Sequence, residues 1–367
     1  MRTLPFRITL ALAATAILAL AWQSGPYKVV KTNKTGGDGG FDYIYADDAG
    51  RRLYIPRSGP APRISAFDLD TLAPVGEVAG IGGHGVAVSA KTGHGFSSSK
   101  PVAMFDTKTL ALIKKIDVDG GPDGIMYDSF NDRVWVLSHS MPHATVINAA
   151  DGSIAGTVAD LGGAPEQAQS DGKGHLYVDI EDKSQVAVVD AKTLTVTAHY
   201  DLAGKGGTPA GLGLDAKNGI LFVACRNPQV MVMMSAADGK IITTLPIGRG
   251  SDGAGFNPKT MEAFSSQGDG TLTIIKENSP TDFVVEQNVE TPQGAKTMTI
   301  DGKTNHILLM AAEYAAPAAP PPPPPAGAPQ GEGRGPGGPG GPGGRGGRGG
   351  GRGQMVPESF TLIEVGK

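Results

Sequence analysis

The chain has 367 residues, 40% of them hydrophobic and 19% charged, enough for one large domain or two ordinary ones and not the composition of a disordered chain. A net charge of −4 excludes a general attraction of the body for nucleic acid or anionic membrane. The single cysteine, Cys225, excludes an internal disulfide, so stability has to come from packing.

The first element in chain order is a leader. Arg2 and Arg7 precede or open an apolar stretch running from Ile8 to Ala21, and Ala19-Leu20-Ala21 offers a small-x-small cleavage site. This is the layout of a secretory signal peptide over residues 1–21, short for a spanning helix, with an uncleaved anchor as the alternative. No cysteine follows the site, so lipid attachment is not expected there. The expected location is periplasmic or secreted, with no membrane span after cleavage.

The elements that follow repeat. A residue that closes a short apolar run and opens a polar turn recurs at Asp47, Ser89, Asp128, Asp171, Asp215, Asn257 and Asp301, about 42 residues apart. In each copy a first strand is followed by a turn such as Lys91-Thr92-Gly93 or Lys217-Asn218-Gly219. A second strand comes next, expected over 52–55, 133–137, 175–178 and 220–223 in four of the copies. A third ends in a hydrophobe-Asp turn, as in Phe67-Asp68-Leu69-Asp70-Thr71, and a fourth precedes a glycine pair. Four short strands per copy make one blade of a β-propeller, and seven copies predict an all-β, seven-bladed β-propeller over residues 26–367. Residues 27–37 read as a fourth strand without its first three, and 360–365 as a third strand without its fourth. The N-terminal strand is therefore expected to complete the last blade and leave no open sheet edge.

So arranged, the chain resembles the YncE-like, YVTN-repeat family of exported bacterial β-propellers. The resemblance is carried by His84-Gly85-Val86-Ala87-Val88-Ser89, Pro122-Asp123-Gly124, Pro165-Glu166, Leu221-Phe222-Val223-Ala224-Cys225-Arg226-Asn227 and Ser266-Gln267-Gly268-Asp269-Gly270-Thr271. It spans the mature chain apart from the Pro/Gly segment near the C-terminus, although the phrase that names the repeat is degenerate here, as in Leu176-Tyr177-Val178-Asp179. It implies a periplasmic or secreted propeller of WD-like repeats and no settled reaction, since fold does not fix function.

First strands line the channel of a propeller. Counting back five residues from each anchor gives Asp42, His84, Asp123, Glu166, Ala210, Asp252 and Lys296. Carboxylates brought together this way raise one another's pKa or recruit a cation. Ca²⁺ or another divalent cation is the cofactor such a ring could hold, while Lys296 suits an anionic ligand better. The bland alternative is a ring whose polar groups satisfy neighbouring backbone and channel water.

Three other features are weaker. His139-Ser140-Met141-Pro142-His143 offers two imidazoles and a thioether, but is expected on a surface loop with no third ligand nearby. Cys225 closes a second strand and reads as a small buried hydrophobe rather than a nucleophile. Residues 315–357 interrupt the last blade with a polyproline run and glycine-rich sequence bearing Arg334, Arg345, Arg348 and Arg352, a solvated insert with at most weak, salt-sensitive affinity for polyanions.

The sequence thus reads as an exported, monomeric, non-catalytic binding or scaffold module. Its partner is a protein or small-molecule ligand at the channel mouth. A metal-dependent lactonase- or hydrolase-type enzyme using a channel metal is the rival, and nucleic-acid or polyanion capture through the arginines of the insert is the third reading.

Overall fold

The computed structural model describes residues 25–316 and 354–367; the expected leader and the four insert arginines lie outside the described residues. The described chain forms seven four-stranded antiparallel sheets. The first strands are Tyr45–Asp47, Val86–Ser89, Pro122–Asp128, Pro165–Ser170, Pro209–Asp215, Ser251–Asn257 and Met298–Ile300, which open blades 1 to 7 in order. Each packs against the first strand of the next blade, and that of blade 7 packs against that of blade 1, so the ring closes.

Position within a blade follows from the pattern of side chains. The second strands are buried along nearly all their length, and several, such as Arg133–Ser138 with its Val-Trp-Val-Leu run and Ile220–Cys225, are apolar on both faces. A strand sandwiched between two neighbouring blades has no solvent face to fill with polar residues. The fourth strands form the rim and are far more exposed; in Thr195–Asp201 and Lys28–Lys34 every second residue is exposed. The core is accordingly divided into seven apolar clusters, one between each pair of adjacent blades.

The hydrophobe-Asp turns close the third strands of blades 1, 2 and 4 by side-chain hydrogen bonds. Asp68 Oδ1 accepts from the Thr71 N–H at 2.8 Å, Asp106 Oδ1 from Thr109 at 2.6 Å and Asp190 Oδ1 from Thr193 at 2.7 Å. The leucine that follows each threonine, Leu72, Leu110 or Leu194, takes a positive φ of 58–60° and turns into the neighbouring blade boundary.

Blade 7 is assembled from both ends of the chain. Met298–Ile300, Ile307–Ala311 and Thr361–Gly366 are joined at the rim by Lys28–Lys34, as the sequence predicts. The incoming strand is fastened to blade 6: the Gln287 side chain accepts from the Tyr27 N–H and donates to the Tyr27 carbonyl, while the Tyr27 hydroxyl donates to Glu262. One boundary differs from expectation. The second and third strands of blade 7 continue to pair at the root of the insert, through Ala315 N–H to Gln354 O at 2.9 Å and Val356 N–H to Glu313 O at 2.8 Å. Among the described residues no helix is long and apolar enough to cross a membrane.

Candidate functional site at the channel mouth

In blades 3 to 6 the pairing of first and second strands breaks register at Pro122/Ile125, Pro165/Ala168, Pro209/Gly211 and Ser251/Gly253. These are β-bulges, and Asp123, Glu166, Ala210 and Asp252 fall inside them. An extra residue in one strand leaves the ladder locally unpaired and re-aims its side chain. Asp42, His84 and Lys296 arrive in the loops just before the first strands of blades 1, 2 and 7.

The six ionisable residues counted from the anchors meet in one contiguous ring. His84 Nδ1 lies 2.8 Å from Asp42 Oδ2 and 3.4 Å from Asp123 Oδ1. On the far side Lys296 pairs with Asp252. The seventh position, Ala210, is buried and carries no charge.

Three further residues complete the ring: His139, Glu181 and Arg226. His139 Nδ1 lies 3.2 Å from Glu166 Oε2 and 3.8 Å from Asp123 Oδ2, and its Nε2 lies 3.8 Å from Glu181 Oε2. Arg226 reaches Glu181 at 2.5 Å and Glu166 at 3.5 Å, and also pairs with Asp252. The expectation of a surface loop at 139–143 with no third ligand nearby is therefore corrected. His139 turns to the axis between two carboxylates, whereas His143 opens the third strand of blade 3 and is buried there.

A signal for these three was present in the sequence. Each is the residue directly after a second strand, in blades 3, 4 and 5; counting forward from the second strand would have found them as counting back from the anchors found the others.

The ring is divided by charge. From blade 1 to blade 4 runs an arc of alternating carboxylate and imidazole, Asp42, His84, Asp123, His139 and Glu166; the opposite arc carries Arg226 and Lys296 on Asp252. Burial, opposed by His84 and reinforced by Asp42 and Glu166, pushes the Asp123 carboxyl up to about 6. The hydrogen bond to Asp42 raises the His84 imidazole, against the effect of burial.

Below the ring the channel is a cavity of about 610 Å³ lined by first-strand residues such as Ile125, Gln169, Phe256 and Thr299. Tyr43 crosses just under the ring, its hydroxyl donating to the Glu166 carbonyl at 3.3 Å. Gln167 ties three blades together, accepting from the Leu212 N–H at 2.9 Å and donating to the Ala254 carbonyl at 3.3 Å. Cys225 is buried in the apolar cluster between blades 4 and 5, and burial pushes its thiol up to about 12, in keeping with a small core residue.

The sequence matches no family model and no curated protein. Solved structures do match in fold. A chain of the Mitotic Checkpoint Complex aligns with a TM-score of 0.66 at 10% identity, over 84% of this chain and 95% of that one. The RRP9 WD40 repeats align at 0.63 and 8% identity, over 78% of this chain and 91% of that one. U3-55K aligns at 0.62 and 8% identity, over 78% and 92%. At such identities the likeness concerns the fold alone, the seven-bladed propeller.

Proposed function

We propose that the protein is an exported binding module of the YncE-like, YVTN-repeat type, which holds a protein or small-molecule ligand at the ionisable mouth of its channel. The observation that carries this reading is the convergence of nine residues, from all seven blades or the loops entering them, on one ring above a floor made by Tyr43. Fold stability alone does not call for charges gathered from every blade at one end of a channel; recognition of a polar ligand does. The WD40-like fold supports a scaffold role, because such propellers present rigid faces on which loops can be varied without disturbing the core.

Export rests on the leader. Intact mass of the protein recovered from a periplasmic or culture-medium fraction should correspond to a chain beginning after Ala21. Full-length protein confined to the cytoplasm would refute it. The binding reading is tested on immobilised mature protein beside Asp252→Asn/Lys296→Met, with unfolding curves recorded for both. Proteins and small molecules retained by the parent and lost from the equally folded variant support the mouth as the site. Identical retention by the two would remove it.

A further inference from the structure

The arc from blade 1 to blade 4 has an order that ion pairing alone does not explain. Asp123 sits between two imidazoles and presents a different oxygen to each: Oδ1 is 3.4 Å from His84 Nδ1, and Oδ2 is 3.8 Å from His139 Nδ1. Each imidazole has a second carboxylate on its other side, Asp42 at 2.8 Å from His84 and Glu166 at 3.2 Å from His139. The result is two neighbouring sets of three donors, Asp42, His84 and Asp123 on one side and Asp123, His139 and Glu166 on the other, each with its donor atoms within 4.8 Å of one another.

We propose that the channel mouth binds a pair of divalent transition-metal ions, one in each set, bridged by the carboxylate of Asp123. The inference deepens the binding reading above and rests on it for the location of the site.

The spacing fits. Metal–nitrogen and metal–oxygen bonds of about 2.1 Å require neighbouring donors about 3.0–3.4 Å apart in octahedral or tetrahedral geometry. The contacts to the imidazoles, 2.8 and 3.4 Å in one set and 3.2 and 3.8 Å in the other, bracket that range. A carboxylate offering one oxygen to each side is the usual bridge between two ions about 3.5–4 Å apart. Glu181, 3.8 Å from His139 Nε2, occupies the place of the outer carboxylate that orients a ligating imidazole.

A second observation points the same way. Asp123 Oδ1 is buried and accepts no hydrogen bond among the described residues. A buried acceptor without a donor is costly, and a cation removes that cost more completely than the imidazole beside it. The alternative partners are visible: His84 Nδ1 hydrogen-bonds Asp42, and His139 Nδ1 lies 3.3 Å from the Pro165 carbonyl. Metal binding requires both nitrogens to give up those protons.

One imidazole in each set also selects the metal class. Carboxylates alone suit Ca²⁺, as the sequence suggested; mixed nitrogen and oxygen donors favour Zn²⁺, Mn²⁺ or Co²⁺. Three protein ligands per ion leave positions open toward the mouth for a ligand carrying its own donor atoms.

The test uses the full mature protein, stripped with chelator and titrated with Zn²⁺ by calorimetry, with elemental analysis after dialysis and with Co²⁺ as an absorbing substitute. The expected result is two equivalents of Zn²⁺ per chain and a visible Co²⁺ band that Zn²⁺ abolishes. His84→Ala and His139→Ala should each retain one equivalent, and Asp123→Asn should lose at least tenfold in affinity for both. Unfolding curves identify any variant that fails to fold, in which case Asp42→Asn and Glu166→Gln replace it. No bound metal, a single equivalent in the parent, or binding unaffected by Asp123→Asn would overturn the proposal. Loss of captured ligand in Asp252→Asn/Lys296→Met without any metal binding would leave the binding reading standing and remove only the metal.

Discussion

Arg51 meets Asp301 across the seam where blade 7 returns to blade 1, donating from both terminal nitrogens to the two carboxylate oxygens at 2.8 Å each. The same guanidinium reaches Asp70 at 2.8 Å, and Lys303 reaches Asp70 at 2.9 Å, so four charges fasten the turns of the two blades. Burial alone would raise the Asp301 carboxyl; the bonds from Arg51 overcome it and hold the group well below the usual carboxylate range. A depressed carboxylate stabilises the fold fully above its unfolded pKa, and that contribution is lost as the pH falls below about 4. Arg51→Ala should therefore cost about 2 kcal/mol at pH 7, since it strands a buried carboxylate, and progressively less as the pH is lowered from about 4 toward 2. Denaturant unfolding of parent and variant at pH 7 and down that range checks this; a difference independent of pH would refute the ion-pair account.

Glu277 behaves in the opposite sense. It is buried between blades 5 and 6, takes one hydrogen bond from Asn218 at 2.8 Å, and is pushed up to about 6, first by burial and further by Asp215. A raised carboxyl opposes folding once the pH passes its unfolded value of about 4.3, and the penalty is complete above 6. Glu277→Gln keeps the acceptor for Asn218 and offers a donor to Asp215, whose Oδ2 has no hydrogen-bond partner among the described residues. The variant should be more stable than the parent by on the order of 1 kcal/mol at pH 7.5 and indistinguishable from it at pH 4. Melting curves at those pH values decide the matter; a less stable variant at pH 7.5 would contradict it.

Gly124 sets how closely blades 3 and 4 approach beneath the arc. A Cβ there would stand 2.3 Å from the Glu166 carbonyl oxygen and 3.0 Å from Leu137 Cδ1. The first of these is backbone and cannot rotate away. Gly124→Ala should cost about 2 kcal/mol through overpacking, measured as a drop in the denaturant midpoint with an unchanged slope. A variant as stable as the parent would mean that the two first strands can separate freely at this point.

How much was legible beforehand follows from which strand carried the information. The anchors Asp47 to Asp301 mark the ends of first strands, so counting back from them located Asp42, His84, Asp123, Glu166, Asp252 and Lys296. Register and side-chain direction in a repeat are conserved from copy to copy, which is why the count worked across bulges that no single copy reveals. Glu181 and Arg226 were missed, and His139 was placed on a surface loop, because all three follow second strands, where the apolar run draws attention and the next residue passes for loop. His139 and His143 looked like one feature because they are near in sequence. The turn between them sends one to the axis and the other into a buried strand, and adjacency in sequence does not report that.

Arg57 offers a final test of how the entry of the chain is held. It is 1% exposed, at the end of the second strand of blade 1. Its guanidinium lies 3.8 Å over the Phe360 ring and donates to the carbonyls of Gly37 at 3.1 Å and Gly39 at 3.0 Å. Burial lowers it to about 10, so it remains charged at neutral pH. The planar fork serves two carbonyls and one aromatic face at once, which an ammonium cannot do. Arg57→Lys should cost about 2 kcal/mol and speed amide exchange over residues 37–40, the segment that leads from the closing strand to Asp42. If exchange there is unchanged while stability falls, Arg57 contributes by packing on Phe360 alone, and the position of Asp42 in the ring is set by the Thr297 hydroxyl, which donates to its carbonyl at 2.5 Å.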